Sequence, residues 1–189
     1  MALDAAEALA LEGGMSAITA RAVAAKIGYA PGTLYNLFEN IDGLVLALNA
    51  RTLAQLETRL EAETMQTGDV ERDLSAVLNV YADEVEKRPK LWGLLTDHIL
   101  PDSTEKPAWF TGQIDNLLTR LEKILLPVFP NRAPDEARRE AAISARLLWV
   151  TVHGLLTAGL SGTLSAIGAG QGRELAHKLV TTYLHGLQR

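Results

Sequence analysis

Thr33, Tyr35 and Asn36 set two hydroxyls and a carboxamide within four consecutive positions. An Asn amide carries the donor–acceptor pair that matches the adenine edge in the DNA major groove, and a Thr can donate to a phosphate or touch a thymine methyl. A second set is aromatic and imidazole-bearing: Tyr81, His98, Trp109, Phe110, Trp149 and His153. Gathered in one place, such residues line an apolar cavity with a few polar handles, the usual makeup of a small-molecule site. Scattered, they are ordinary core residues. Trp149 and His153 lie one helical turn apart, followed by Gly154. Asp97 and His98 have the residue types of an acid–base pair. However, the four histidines, at 98, 153, 177 and 185, fall in no metal motif, and no Gly-x-Ser-x-Gly elbow exists. The absence of cysteine excludes disulfides, thiolate nucleophiles and Cys-based zinc sites. No catalytic residue, metal or cofactor is therefore expected, and the chain does not read as an enzyme.

The elements that must position the first set are two short helices. Thr19 suits an N-cap, and Ala20, Val23, Ala24 and Ile27 recur at helical spacing. Gly28 can take the left-handed conformation that ends a helix, and Pro31 suits the first turn of the next. Leu34 and Phe38 lie one turn apart, which buries one face and leaves Thr33, Tyr35 and Asn36 on others. Two short helices joined by a glycine-containing turn make a helix-turn-helix, whose second helix enters the major groove. Pro31, Gly32 and Thr33 open that helix; Pro31 and Gly32 are small enough to allow close approach to base edges.

This stretch resembles the N-terminal DNA-binding domain of the tetracycline-repressor (TetR) family. The resemblance rests on Thr19 to Ala24, on the Gly28 turn, on Gly32-Thr33-Leu34-Tyr35 followed by Phe38, and on Asn40 and Leu44 opening the next helix. It covers roughly the first quarter of the chain by motif. It implies a two-fold symmetric regulator that binds DNA with its first domain and a small molecule with its second. By the same resemblance Tyr35 is a phosphate-contacting hydroxyl, and Arg21 matches a position some members use on a base. The implied DNA-binding set is Thr19, Arg21, Pro31, Gly32, Thr33, Tyr35 and Asn36, and the partner is a palindromic double-stranded operator. Trp149-x-x-x-His153-Gly154 resembles a pattern in a subclass of the family's C-terminal domains. The chain departs from the family at Leu37 and Ile41, where a His or aromatic and a Lys are common, and at Ala30, where a Ser cap is common. It also opens close to its first helix, without the basic arm of many members.

Charge bears on the same point. From Met1 to Ala50 the cations are Arg21 and Lys26 and the anions Asp4, Glu7, Glu12, Glu39 and Asp42, so two minus five gives −3. Phosphate neutralisation supplies much of protein–DNA affinity. Weak binding or strong salt sensitivity is expected, and a helical ligand-binding or scaffold protein with weakened DNA binding is the competing reading.

The rest reads as helix, with no sustained period-two alternation. The chain has 189 residues, 48% hydrophobic, enough for one or two domains, and only 5% are aromatic. An all-α protein of about nine helices is predicted, with a three-helix head at 1–45 and a helical ligand-binding and dimerisation domain at 46–189. Apolar stripes mark helices from Leu3 to Glu12, Asn40 to about Glu63, Asp69 to Arg88, Leu91 to Ile99, Ala108 to Leu126, Pro134 to Leu160 and Arg173 to Leu187. Asp102–Pro107 and the Gly-rich run Gly159–Gly172 read as loops. The helix starting at Asn40 is long enough to join two domains as a lever. The last helix is too apolar to stand exposed, so a homodimer is expected through Leu148, Val152, Leu155, Leu175, Leu179, Tyr183 and Leu187. No apolar run approaches the roughly 20 residues of a membrane span and no secretory signal is visible, so a cytoplasmic protein without membrane partners is expected. A small apolar effector is the expected ligand of Tyr81, His98, Trp109, Phe110, Trp149 and His153.

Overall fold

The computed structural model describes residues 1–64, 66–98, 106–166 and 171–187. These form ten α-helices with no strand among the described residues, so the all-α expectation holds: α1 Ala2–Gly13, α2 Ala20–Ile27, α3 Pro31–Tyr35, α4 Ile41–Glu63, α5 Val70–Lys87, α6 Pro89–Asp97, α7 Ala108–Leu125, α8 Pro134–Leu160, α9 Thr163–Ala166 and α10 Gly172–Leu187. Two compact units are formed, one of Met1–Gln55 with Arg88–Gln113 and one of Leu56–Lys87 with Ile114–Arg189.

The first unit is built on small residues. Ala2, Ala5, Ala6 and Ala10 of α1 are buried, and with them Ile18, Val23, Ala24, Leu34, Leu44, Val45, Leu48, Leu91 and Leu94. Alanine on three successive turns lets α1 lie close to α2 and α6. The local signals act as their chemistry requires. Thr19 Oγ1 accepts the Ala22 N–H at 3.1 Å, and Gly28 ends α2 at φ 75°, a left-handed conformation. Asn40 Oδ1 accepts the Gly43 N–H at 2.8 Å and caps α4. Ala30 gives α3 no side-chain cap.

In the second unit α10 packs against α8 and α5, and α5 against α8. The core is Leu74, Leu78, Val85, Leu118, Leu125, Ala141, Ala145, Leu156, Ala176 and Leu184, with the walls of the cavity described below. The crossing of α8 and α10 is close: a Cβ on Gly172 would stand 2.4 Å from the carbonyl oxygen of Leu155. Asp73 fixes the start of α5. Its carboxylate accepts the Thr67 hydroxyl at 2.7 Å and the Thr67 and Gly68 N–H groups at 2.9 and 3.2 Å. The Thr67 hydroxyl bond, helped by these N–H groups, holds its pKa below the usual carboxylate range. Helix α8 is long and apolar enough to cross a membrane by length and composition, but it carries Arg146, which bonds Glu122 at 2.9 Å.

The structure corrects the expected end of the chain. Gly159 and Leu160 belong to α8, Thr163–Ala166 forms the additional helix α9, and Gly172 opens α10. Gly159 and Gly172 sit where helices come close, whereas Gly162 turns the chain at φ 79°; residues 167–170 of the expected loop lie outside the described residues. The expected helix through Ile99 ends at Asp97. Ile99 and the part of the expected polar loop up to residue 105 also lie outside them.

Candidate functional site

The helix-turn-helix presents its expected residues outward. Arg21, Pro31, Gly32, Tyr35 and Asn36 are exposed and Thr33 is half-buried, while Leu34 is buried beneath them. Thr19 is spent on its cap. Two large side chains that the sequence does not mark as binding residues also stand out beside Tyr35, which is 53% exposed: Tyr29 and Leu37 are 51% and 66% exposed. Leu37 continues the turn of α3, with its N–H on the Leu34 carbonyl at 3.0 Å, and lies one turn beyond Thr33. Ile41 packs against the core.

Most cations of this unit are occupied. Arg51 bonds Asp4 at 2.6 Å, the Leu3 carbonyl at 2.7 Å, and Glu7. Arg88 bonds Gln55 at 2.8 Å and pairs with Glu7 at 3.6 Å. Lys90 donates to the Glu12 carbonyl, and Lys26 lies 3.4 Å from the Glu12 carboxylate. Arg21 has no carboxylate within ion-pair distance among the described residues.

The second unit holds a cavity whose walls are Leu56, Leu60, Leu74, Val77, Leu78, Tyr81, Leu117, Leu121, Leu148, Trp149, Val152 and Val180. No charged side chain lines it. Its volume is about 40 Å³. Two of these walls, Tyr81 and Trp149, stack with His153. Tyr81 stacks on Trp149 with centroids 4.9 Å apart and planes at 26°, and His153 lies 6.0 Å from Trp149. The Tyr81 hydroxyl shares a hydrogen bond with His153 Nδ1. Burial pushes the Tyr81 phenol well above its ordinary pKa, so it is neutral.

The structure thus brings Tyr81, Trp149 and His153 together in the second unit, while His98, Trp109 and Phe110 fall in the other. His98 caps the end of α6 rather than lying on its apolar face. Its Nε2 bonds Asp42 Oδ1 at 2.8 Å. Trp109 is half-exposed and meets Phe110 edge-on at 6.3 Å. The expected dimer residues divide as well. Leu148 and Val152 are buried as cavity walls, and Tyr183 donates to Ser144 Oγ at 2.9 Å. Leu155, Leu175, Leu179 and Leu187 are half-buried. The exposed large apolar side chains of α8 are Ile143, Leu147, Val150 and Leu160. A run as apolar as Leu147-Leu148-Trp149-Val150 does not say which residues face inward. The cavity walls on α5 and α7 were likewise invisible, because leucine at helical spacing reads only as core.

Residues 2–48 match the model of the family "Bacterial regulatory proteins, tetR family". That match covers the helix-turn-helix segment, and over its length the chain shares its fold with solved transcriptional regulators. It superimposes on the transcriptional regulator FadR from Bacillus subtilis in complex with stearoyl-CoA, with TM-score 0.70 and 16% identity over 98% of this chain and 95% of that one. For BioQ from Mycobacterium smegmatis the values are 0.69 and 17% over 99% and 95%, and BioQ is also known with its double-stranded DNA operator. A TetR transcriptional regulator from Rhodococcus sp. RHA1 gives 0.61 and 23% over 94% and 92%. No curated protein matches the sequence. At these identities the structural likeness is one of fold.

Proposed function

We propose that this protein is a DNA-binding transcriptional regulator, a repressor released by a small apolar effector. The observation that carries the reading is a division of chemistry. One unit presents a TetR-type helix-turn-helix with its polar outer face exposed, and the other holds an uncharged cavity walled in part by Tyr81 and Trp149, on which His153 stacks. Residues 1–45 are the DNA-binding part and 46–189 the effector and dimer part. The effector's buried portion is uncharged, since no wall residue can pair a carboxylate or phosphate, and a charged head group stays outside. A long acyl chain fits this description, and FadR from Bacillus subtilis in complex with stearoyl-CoA supports it. The Trp149-x-x-x-His153-Gly154 pattern carries the wall residue Trp149 and the His153 stacked on it.

A pair of heads is needed to grip a palindrome. The dimer forms through the outward stripe of α8, Ile143, Leu147 and Val150, with the half-buried leucines of α10, as an isologous interface. Because the cavity is smaller than a drug-sized ligand requires, its walls must part on binding. A ligand that binds the parted state better shifts the population toward it. Leu56 and Leu60 are wall residues on α4, the helix that begins at the cap beside the recognition helix, so wall movement passes along one helix to the head. The test is selection from a pool of random double-stranded DNA by the whole protein. It should enrich a palindrome with half-sites about one helical turn, 34–36 Å, or a multiple apart. Enrichment of no sequence would reject the DNA-binding reading.

A further inference from the structure

We infer that the head holds DNA mainly through uncharged contacts, apolar ones to thymine methyl groups foremost, with few phosphate ion pairs. This rests on the DNA-binding reading and goes further, naming the chemistry the head recognises. Within residues 1–50 only Arg21 and Lys26 are cationic, and Lys26 is partly engaged by Glu12. Arg51, the next cation, is bonded to Asp4, Glu7 and a backbone carbonyl. The outer surface of α3 and its flanks carries Tyr29, Thr33, Tyr35, Asn36 and Leu37, none of them charged. Leu37 at 66% exposure and Tyr29 at 51% are not accounted for by packing within the unit. The thymine C5-methyl is the apolar group that the major groove offers. Thr33, half-buried on α3, offers a methyl, and Leu37, in the turn that follows α3 four residues on, offers an exposed isobutyl group; both can meet it.

The salt dependence follows by arithmetic. Two cations per head make four in a two-headed complex, so log K against log salt has a slope no steeper than about −4. This reverses the strong salt sensitivity expected from the low charge: scarce cations weaken the electrostatic contribution and also leave salt little to screen.

The experiment uses the site enriched by selection, labelled and titrated with the whole protein by fluorescence anisotropy from about 50 to 200 mM salt. The expected slope is −4 or shallower, and one steeper than about −6 would overturn the inference. In parallel, thymines of the site are replaced by deoxyuridine, which removes only the methyl. Each contacted methyl lost should weaken binding about fourfold; unchanged affinity after replacement of every thymine would overturn the inference. Leu37→Ala should weaken the thymine site and leave the deoxyuridine site nearly unchanged, whereas equal losses on both would assign Leu37 to the sugar–phosphate backbone and overturn its role. These failures occur on a bound, enriched site, so they differ from failure of DNA binding itself, where no site emerges.

Discussion

Asn36 and Tyr35 stand side by side on the exposed surface of α3 and should fail differently when changed. Asn36→Ala removes the carboxamide and should relax the preference at one base pair, by about 1–3 kcal/mol for a bidentate contact. Tyr35→Phe removes a hydroxyl expected on a phosphate and should weaken all DNA sequences alike. Competition binding with single-base variants of the enriched site separates the two outcomes. At the other unit, Asp73→Asn should cost about 1–2 kcal/mol at neutral pH, since the Thr67 and Gly68 donors lose a charged acceptor. The sign of its pH dependence is fixed. The folded-state pKa of Asp73 is lowered, so its contribution is complete above the unfolded value, about 4, and is lost as pH falls through the folded one. Chemical denaturation should show the gap between wild type and variant closing below about pH 4.

At the scale of the helix, legibility depended on whether a signal was local. The Thr19 cap, the Gly28 stop and the Asn40 cap each act within four residues, and each appears where the sequence places it. The phase of α8 was not legible. Leu147, Leu148, Trp149 and Val150 are all apolar, so only packing against α5 and α10 decides that Leu148 turns inward and Leu147 outward. The Tyr81–Trp149–His153 cluster was partly legible for the same reason: Trp149 and His153 share a helix turn, but Tyr81 joins them from 68 and 72 residues away, by tertiary packing. His98 shows the converse, a polar residue whose partner, Asp42, no periodicity suggests. Two tests belong to this scale. Gly172→Ala should destabilise the protein by about 1–3 kcal/mol, because the added methyl meets the Leu155 carbonyl of another helix and backbone must shift. Thermal unfolding measures it, and an unchanged midpoint would mean that α10 is not held this close. Leu147→Glu, on the exposed stripe of α8, should convert dimer to monomer in sedimentation without lowering helix content. The same charge at Leu148 should instead disrupt the fold.

At the scale of the whole molecule, the proposed function couples the two units: a chain entering the cavity is to lower the affinity of the heads for DNA. A ligand shifts that equilibrium only by its differential affinity for the two states. On the proposed function the small volume of the cavity supplies the difference, a long chain entering as the walls separate. Trp149 is a wall residue and so an internal reporter. The decisive measurement is a titration of the protein–DNA complex with stearoyl-CoA, reading DNA anisotropy and tryptophan fluorescence in the same cuvette, for wild type and Trp149→Ala. The account predicts that wild type shows a tryptophan change and a fall in anisotropy with one midpoint. It predicts that Trp149→Ala binds DNA normally without ligand but needs more ligand to let go. Saturation of the tryptophan signal with DNA affinity unaltered would contradict it.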